Sequence, residues 1–332
     1  MRKNGDPILI SFPHWQLVTR WEGATSTLAA AVAARWQGVM IQAGDDGEAT
    51  HCPTVRLAIR SADDCAQKSV APQHTVVGRK WRVRFEAGKG STITIGGGLE
   101  PSCEHLAGAL ELALIHALAM RGAAVVHACC FSIWGQSVLA LGPGRVGKST
   151  LTAAALAAGG RVVSDDSVVV AVGHGKQTFA TFFRRHLVFR DGVKEKLLRD
   201  FAKVLQLSPW VDGRRWILSR DHLGDFGLVQ TPLNQVWLLA GRVEDDSTVI
   251  GRLSAAEVLA AAMQGGAPLF LSVHFPQERE ATLPVLSLLA EQLPAFKVAT
   301  GPDLLERPGV VLRGLLESTG YAAQAAREKS CD

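Results

Sequence analysis

Apolar and polar positions divide the chain into two differently patterned stretches. Up to about residue 100, the segments VRLAIR (55–60), KWRVRFEA (80–87) and STITIGG (91–97) alternate apolar and polar side chains between glycines. That period of two predicts half-exposed strands. An Ala-rich run, TSTLAAAVAARW (25–36), predicts one helix among them. From residue 101 the pattern changes. Ser102 as N-cap, Glu104 in the first turn, leucines at 106, 110, 114 and 118, and Gly122 beyond the end predict a helix with one apolar face. Two apolar arms, VVHACCFSI (125–133) and VLALG (138–142), flank a WGQS turn and predict a hairpin. An Ala- and Leu-rich helix ended by Gly159 and Gly160 follows, and RVVSDDSVVV (161–170) opens as a strand. NQVWLLAG (234–241) reads as a central strand, and Ser254 with Glu257 forms a capping box for a helix running to Met263. PLFLSV (268–273), a helix from Pro284, FKVA (296–299) and a helix after Pro308 complete the series.

This alternation predicts an α/β fold preceded by a small β-rich domain. The expected boundaries are 1–100 for a β-leaning N-terminal domain, 101–320 for the α/β domain and 321–332 for a polar tail.

Composition sharpens the picture modestly. The 332 residues are 47% hydrophobic and 20% charged, enough to bury a sizeable interior. A net charge of +4, with basic and acidic residues interspersed, gives no clustered face for nucleic acid or a membrane surface. Asp6 and Pro7 interrupt the start before a signal-peptide core forms. The longest apolar stretch, 125–142, is broken by His127, Trp134, Gly135, Gln136 and Ser137, so a cytoplasmic protein is expected. The six cysteines lack metal-ligand spacing and read as thiols.

The chemistry lies at the end of the second hairpin arm. Gly142, Gly147, Lys148 and Ser149 fit G-x-x-x-x-G-K-S/T, between an apolar strand and a helix. Glycines let backbone N–H groups turn toward an anion, and the helix start adds its positive dipole end. The loop Gly142, Pro143, Gly144, Arg145, Val146, Gly147, Lys148, Ser149 and Thr150 is therefore expected to cradle a polyphosphate, with Lys148 on the β- and γ-phosphates and Ser149 on Mg2+. Asp165 and Asp166 close an apolar strand, where adjacent carboxylates repel unless a cation or a moving proton occupies them. His127 lies early in the first hairpin arm, where spacing allows either a packed core histidine or a residue beside the phosphate loop.

The run HACCFSIWGQSVLALGPGRVGKST followed by GGRVVSDD resembles the catalytic core of the HPr kinase/phosphorylase superfamily, whose nucleotide site is related to that of phosphoenolpyruvate carboxykinase. The likeness is close over residues 120–175 and loose to about 316. It implies a P-loop serine kinase using ATP and Mg2+, with Lys148 on the transferring phosphoryl group, Ser149 and Asp166 on the metal, and Asp165 with His127 as the acid–base unit; the two aspartates are interchangeable in these roles. The chain departs from the family in lacking E-x-R-G-x-G and in carrying Arg145 where small residues prevail. HPr itself is thus not implied as substrate. The style is that of stand-alone relatives that phosphorylate a serine of a peptide or small protein, and a homo-oligomer is compatible with it. The alternatives on the same fold are a small-molecule kinase and a non-catalytic nucleotide sensor. Downstream, Arg184, Arg185, His186 and Arg190, then Arg214, Arg215 and Arg220 with Trp210 and Trp216, form clusters suited to a phosphate or carboxylate or to a solvated face. Residues 208–230 read as a long loop of the kind that makes lids or binding segments.

Overall fold

The computed structural model describes the strand backbones between residues 8 and 95, and residues 111–320 apart from 113, 117, 120–121, 185, 208–214 and 265–275. The predicted helix at 25–36, the start of the helix at 102, Arg185, Trp210, Arg214, the strand at 268–273 and the polar tail lie outside the described residues. The chain forms two compact units, residues 1–121 with 274–278, and residues 122–273 with 279–332.

In the first unit seven strands form one sheet: β1 (Ile8–Phe12), β2 (Trp15–Trp21), β3 (Met40–Ile41), β4 (Thr54–Ser61), β5 (Thr75–Val77), β6 (Trp81–Glu86) and β7 (Gly90–Ile95). Their order is β3-β1-β2-β4-β7-β6-β5, with β2, β4 and β7 parallel and the remaining pairs antiparallel. The three alternating segments of the sequence are β4, β6 and β7.

The second unit holds the phosphate-loop motif. It begins β8 (Ala124–Val126), β9 (Ala128–Ile133), β10 (Gln136–Leu141), α1 (Lys148–Ala157), β11 (Arg161–Ser164), β12 (Val168–Val172), β13 (Thr178–Phe182), β14 (His186–Arg190) and α2 (Asp191–Leu197). It continues β15 (Gln206–Leu207), β16 (Arg215–Ser219), β17 (Gln230–Pro232), β18 (Gln235–Arg242), β19 (Thr248–Arg252) and α3 (Ala255–Gln264). After α4 (Pro276–Gln292), which belongs to this unit from residue 279, come β20 (Ala295–Thr300), α5 (Asp303–Glu306) and α6 (Pro308–Ser318). A mixed six-stranded sheet runs β11-β9-β10-β18-β20-β19, with β10, β18 and β20 parallel. A four-stranded sheet runs β17-β13-β12-β8, and a three-stranded one β14-β16-β15. The unit is mixed α/β.

Leu151, Ala153, Ala154 and Ala155 of α1 are fully buried. The helix packs on β9 and β11 and against α2 and α6, which is why its sequence from Ala153 to Ala157 is apolar all round rather than on one stripe. Beneath it Phe131 meets Trp237 edge to face at 6.0 Å, and both are fully buried. The turn between β9 and β10 is only two residues, Trp134 (φ 48°) and Gly135 (φ 77°), a left-handed pair that matches the twist of the flanking strands. The capping box also forms: Ser254 Oγ accepts from the Glu257 N–H at 3.3 Å, and the Glu257 carboxylate accepts from the Ser254 N–H at 2.8 Å.

Three expectations are corrected. The arm expected as one strand over 125–133 is two, β8 and β9, in different sheets, and His127 is the single residue between them. Part of the expected loop 208–230 is strand β16, whose Arg-Trp-Ile-Leu-Ser sequence pairs antiparallel with β14. The helix expected from Pro284 starts at Pro276 and carries Pro284 inside it, where the ring omits one backbone donor.

Candidate active site

Two neighbouring strands change sheet at the same level, and this builds the site. On one, β8 gives way to β9 at His127; on the other, β11 gives way to β12 across Asp165, Asp166 and Ser167. Val126 pairs with Val168 in one sheet and Cys130 with Ser164 in the other. The histidine and the aspartates, 38 to 39 positions apart in sequence, therefore meet at one break. His127 Nδ1 lies 3.0 Å from the Asp166 carbonyl oxygen and 3.3 Å from its Oδ1. The partner of the ring is Asp166 rather than Asp165. Burial holds the His127 pKa below its ordinary 6.5, against the Asp166 charge that raises it, so the ring is neutral at pH 7. With Nδ1–H donating to Asp166, Nε2 keeps its lone pair.

The two carboxylates occupy different environments. Asp165 is 2% exposed and accepts the Val188 N–H at 2.9 Å. Burial first, and then the adjacent Asp166 charge, push its carboxyl up to about 7. Asp166 is part-exposed, with Arg184 donating to its Oδ2 at 2.7 Å and the Ser167 hydroxyl at 3.2 Å. Asp166 faces the cavity described below and Asp165 lies behind it.

The loop after β10 has the backbone that its glycines permit. Gly142 sits at φ 153°, and a Cβ there would fall 2.9 Å from Val146 Cγ1. Gly147, at φ 115°, is the N-cap of α1. Arg145 also adopts a left-handed φ of 69°, with its side chain exposed. Lys148 is 5% exposed, and its Nζ donates to the Gly142 and Pro143 carbonyls at 2.8 Å each, folding the loop around the ammonium. Burial holds its pKa below the usual 10.5.

Loop, helix start, His127 and Asp166 line a cavity of about 570 Å3, together with Ser149 and Thr150. Among the described residues its walls carry six cationic side chains, Arg145, Lys148, Arg190, Lys196, Arg215 and Arg242, and a single carboxylate, Asp166. Gly144 and Gly147 also line it, whereas Gly142, Pro143 and Val146 shape the loop from behind. Such a surface selects a multiply charged anion.

The arginine clusters of the sequence separate into distinct uses. Arg190 and Arg215 reach the cavity and Arg184 pairs with Asp166. Arg220 is scaffold: it lies 4.2 Å over the Phe182 ring and donates to the Val163 and Leu228 carbonyls. Lys196 and Arg242 were not expected. Arg242 stands at the carboxyl end of β18, beside β10, with Nη2 3.5 Å from Thr150 Oγ1. Ligands collect at the carboxyl ends of parallel strands, and that rule applied to NQVWLLAGR would have found it. Lys196 lies four residues after Gly192 on the same face of α2, and no feature of the sequence distinguishes it from Lys194, which packs on Trp216.

Among the described residues no three His, Cys, Asp or Glu side chains form a metal cluster. Ser149 and Asp166 share the cavity and fit Mg2+, which takes few protein ligands and completes its shell with phosphate oxygens. No described helix is long and apolar enough to cross a membrane. No protein-family model matches the chain, and neither does any curated protein sequence.

Proposed function

We propose that this protein is an ATP- and Mg2+-dependent serine kinase of the HPr-kinase type, acting on a peptide or small protein. The observation that carries the reading is the convergence of a phosphate-binding loop, a neutral histidine held by a carboxylate, and six cations on one cavity. Catalysis of phosphoryl transfer is mostly positioning and charge neutralisation, and these residues supply both.

In this proposal the backbone N–H groups of Gly144 to Ser149 cradle the polyphosphate. Lys148 exchanges the loop carbonyls for β- and γ-phosphate oxygens, and Arg242 approaches from the end of β18. Ser149 and Asp166 hold Mg2+, which when bound neutralises phosphate charge. His127 Nε2 takes the proton of the acceptor serine hydroxyl as its oxygen forms the new P–O bond and ADP leaves; Asp166, on Nδ1, orients the ring. Asp165 holds Val188 and through it the strand that ends in Arg190. The metal and the base are thereby served from Asp166 and its neighbour His127, with Asp165 in a supporting role.

The test is transfer of radiolabelled γ-phosphate, with Mg2+, to a panel of serine peptides. Wild type should label a peptide serine, and Lys148→Ala and Asp166→Asn should each cut the rate by about 10²–10³-fold. Equal labelling by Lys148→Ala would refute the proposal. Tight nucleotide binding with no transfer to any peptide would move the reading to a small-molecule acceptor or a nucleotide sensor.

A further inference from the structure

We infer that Arg190, Arg215 and Lys196 form a second anion subsite in this cavity, which receives the carboxylates of an acidic acceptor peptide. The inference rests on the kinase reading above and specifies its substrate class.

Arg190 and Arg215 are directly opposite each other on β14 and β16. Residues so paired project to one side of the sheet with their Cβ atoms about 5 Å apart, and like charges in that position repel. Among the described residues neither makes an ion pair; the carboxylate next in sequence, Asp191, accepts from the Trp216 indole at 2.5 Å instead. Both arginines line the cavity. Lys196 joins them from α2, on the face that also carries Gly192 and Val193. Three cations are thus gathered at the cavity from β14, β16 and α2, and among the described residues none of them makes an ion pair.

This part of the cavity wall is reached from Asp165 along a defined path. Val188, whose N–H is fixed to Asp165, and Arg190 share a face of β14, and two residues of strand advance about 7 Å. Arg190 therefore begins where the region of Asp166 and His127 ends. The charge balance agrees. A Mg2+-bound triphosphate brings roughly two net negative charges and Asp166 one more, and Arg145, Lys148 and Arg242 around the loop already balance these. The remaining cations are left for a second anion, and the molecule that must lie beyond His127 is the acceptor. Planar guanidinium groups in a pair suit carboxylates held in a bidentate manner. The acceptor serine is accordingly one with aspartate or glutamate close beside it.

Binding measurements on the full chain separate this subsite from the nucleotide site. One titration uses a Mg2+-bound non-hydrolysable ATP analogue. The other, with the analogue present, uses a fluorescent peptide carrying a serine flanked by aspartates, and its counterpart flanked by asparagines. The double variant R190Q/R215Q should keep the analogue affinity within about twofold and lose aspartate-peptide affinity about tenfold or more, while K148A should do the reverse. The asparagine peptide should bind wild type about tenfold more weakly than the aspartate peptide and be indifferent to the double substitution. The double variant relieves a like-charge contact, so it should unfold no earlier than wild type, which checks that it folds.

Failure of wild type to prefer the aspartate peptide, or equal peptide affinity in the double variant, overturns the subsite. A tenfold loss of analogue affinity in the double variant assigns the arginines to the nucleotide and also overturns it. Failure of wild type to bind the analogue sinks the kinase reading instead. An arginine-dependent preference for the aspartate peptide in the same protein would still uphold the anion subsite.

Discussion

Replacing Asp165 by asparagine should abolish a large part of the pH dependence of this protein's stability. In the folded protein burial and the Asp166 charge raise the Asp165 carboxyl from 3.8 to about 7. Below about pH 4 the group is protonated in both folded and unfolded chains, and its stabilisation is fully present. As the pH rises the unfolded chain releases the proton first, so stability falls by about 1.4 kcal/mol per pH unit until the folded group ionises near 7. The total is about 4 kcal/mol, a substantial share of the roughly 5–15 kcal/mol that keeps a domain folded. Asparagine cannot ionise, yet its side-chain oxygen still accepts the Val188 N–H that Asp165 accepts at 2.9 Å. Asp165→Asn should match wild type near pH 4 and exceed it by about 4 kcal/mol at pH 8. Urea denaturation of both proteins at steps through that range measures the difference, in which titrating groups that do not interact with Asp165 cancel. Parallel curves would refute the assignment of a buried, proton-retaining carboxyl to Asp165.

Three further outcomes follow from the same geometry. Because His127 titrates below 6.5, the proposed transfer activity should hold through neutral pH and decline in acid as the ring protonates; His127→Gln should be slower by about 10²-fold or more and lose that acid limb in a pH–rate profile. Arg145→Gly should relieve the left-handed backbone at φ 69° and stabilise the apo protein by about 0.5–1 kcal/mol, read by thermal melting, while weakening ATP binding through the lost cation. Trp237→Ala, at a fully buried side chain in central strand β18, should cost about 3–5 kcal/mol in denaturant titrations.

Much of this protein was written locally. A glycine-rich turn between an apolar strand and an Ala-rich run reads as strand, tight loop and helix, because the φ values of Gly142 and Gly147 and the closeness of Val146 to Gly142 are demands on single residues. The same holds for the capping box at Ser254 and Glu257, the alternation in β4, β6 and β7, and the apolar β18 between β10 and β20. Each is a short-range constraint, and its signature lies within a few residues.

What the sequence left open was decided by pairing between distant strands. Nothing in VVHACCFSI says that the strand breaks at His127, since every residue around it suits a strand; the break exists because β8 pairs with β12 while β9 pairs with β10 and β11. The same exchange of sheets chose Asp166 over Asp165 as the histidine's partner and buried Asp165 behind it, which no property of two adjacent aspartates specifies. The register of β14 against β16 set Arg190 against Arg215 in the cavity, and separate contacts assigned Arg184 to Asp166 and Arg220 to the scaffold, although all four are arginines in similar company. Residue type and local spacing fixed where the phosphate-loop motif and its neighbouring titratable groups stand in the chain. Long-range strand register fixed which of several identical side chains line the cavity, because a side chain's charge environment is the sum of neighbours that only the folded sheet brings within reach.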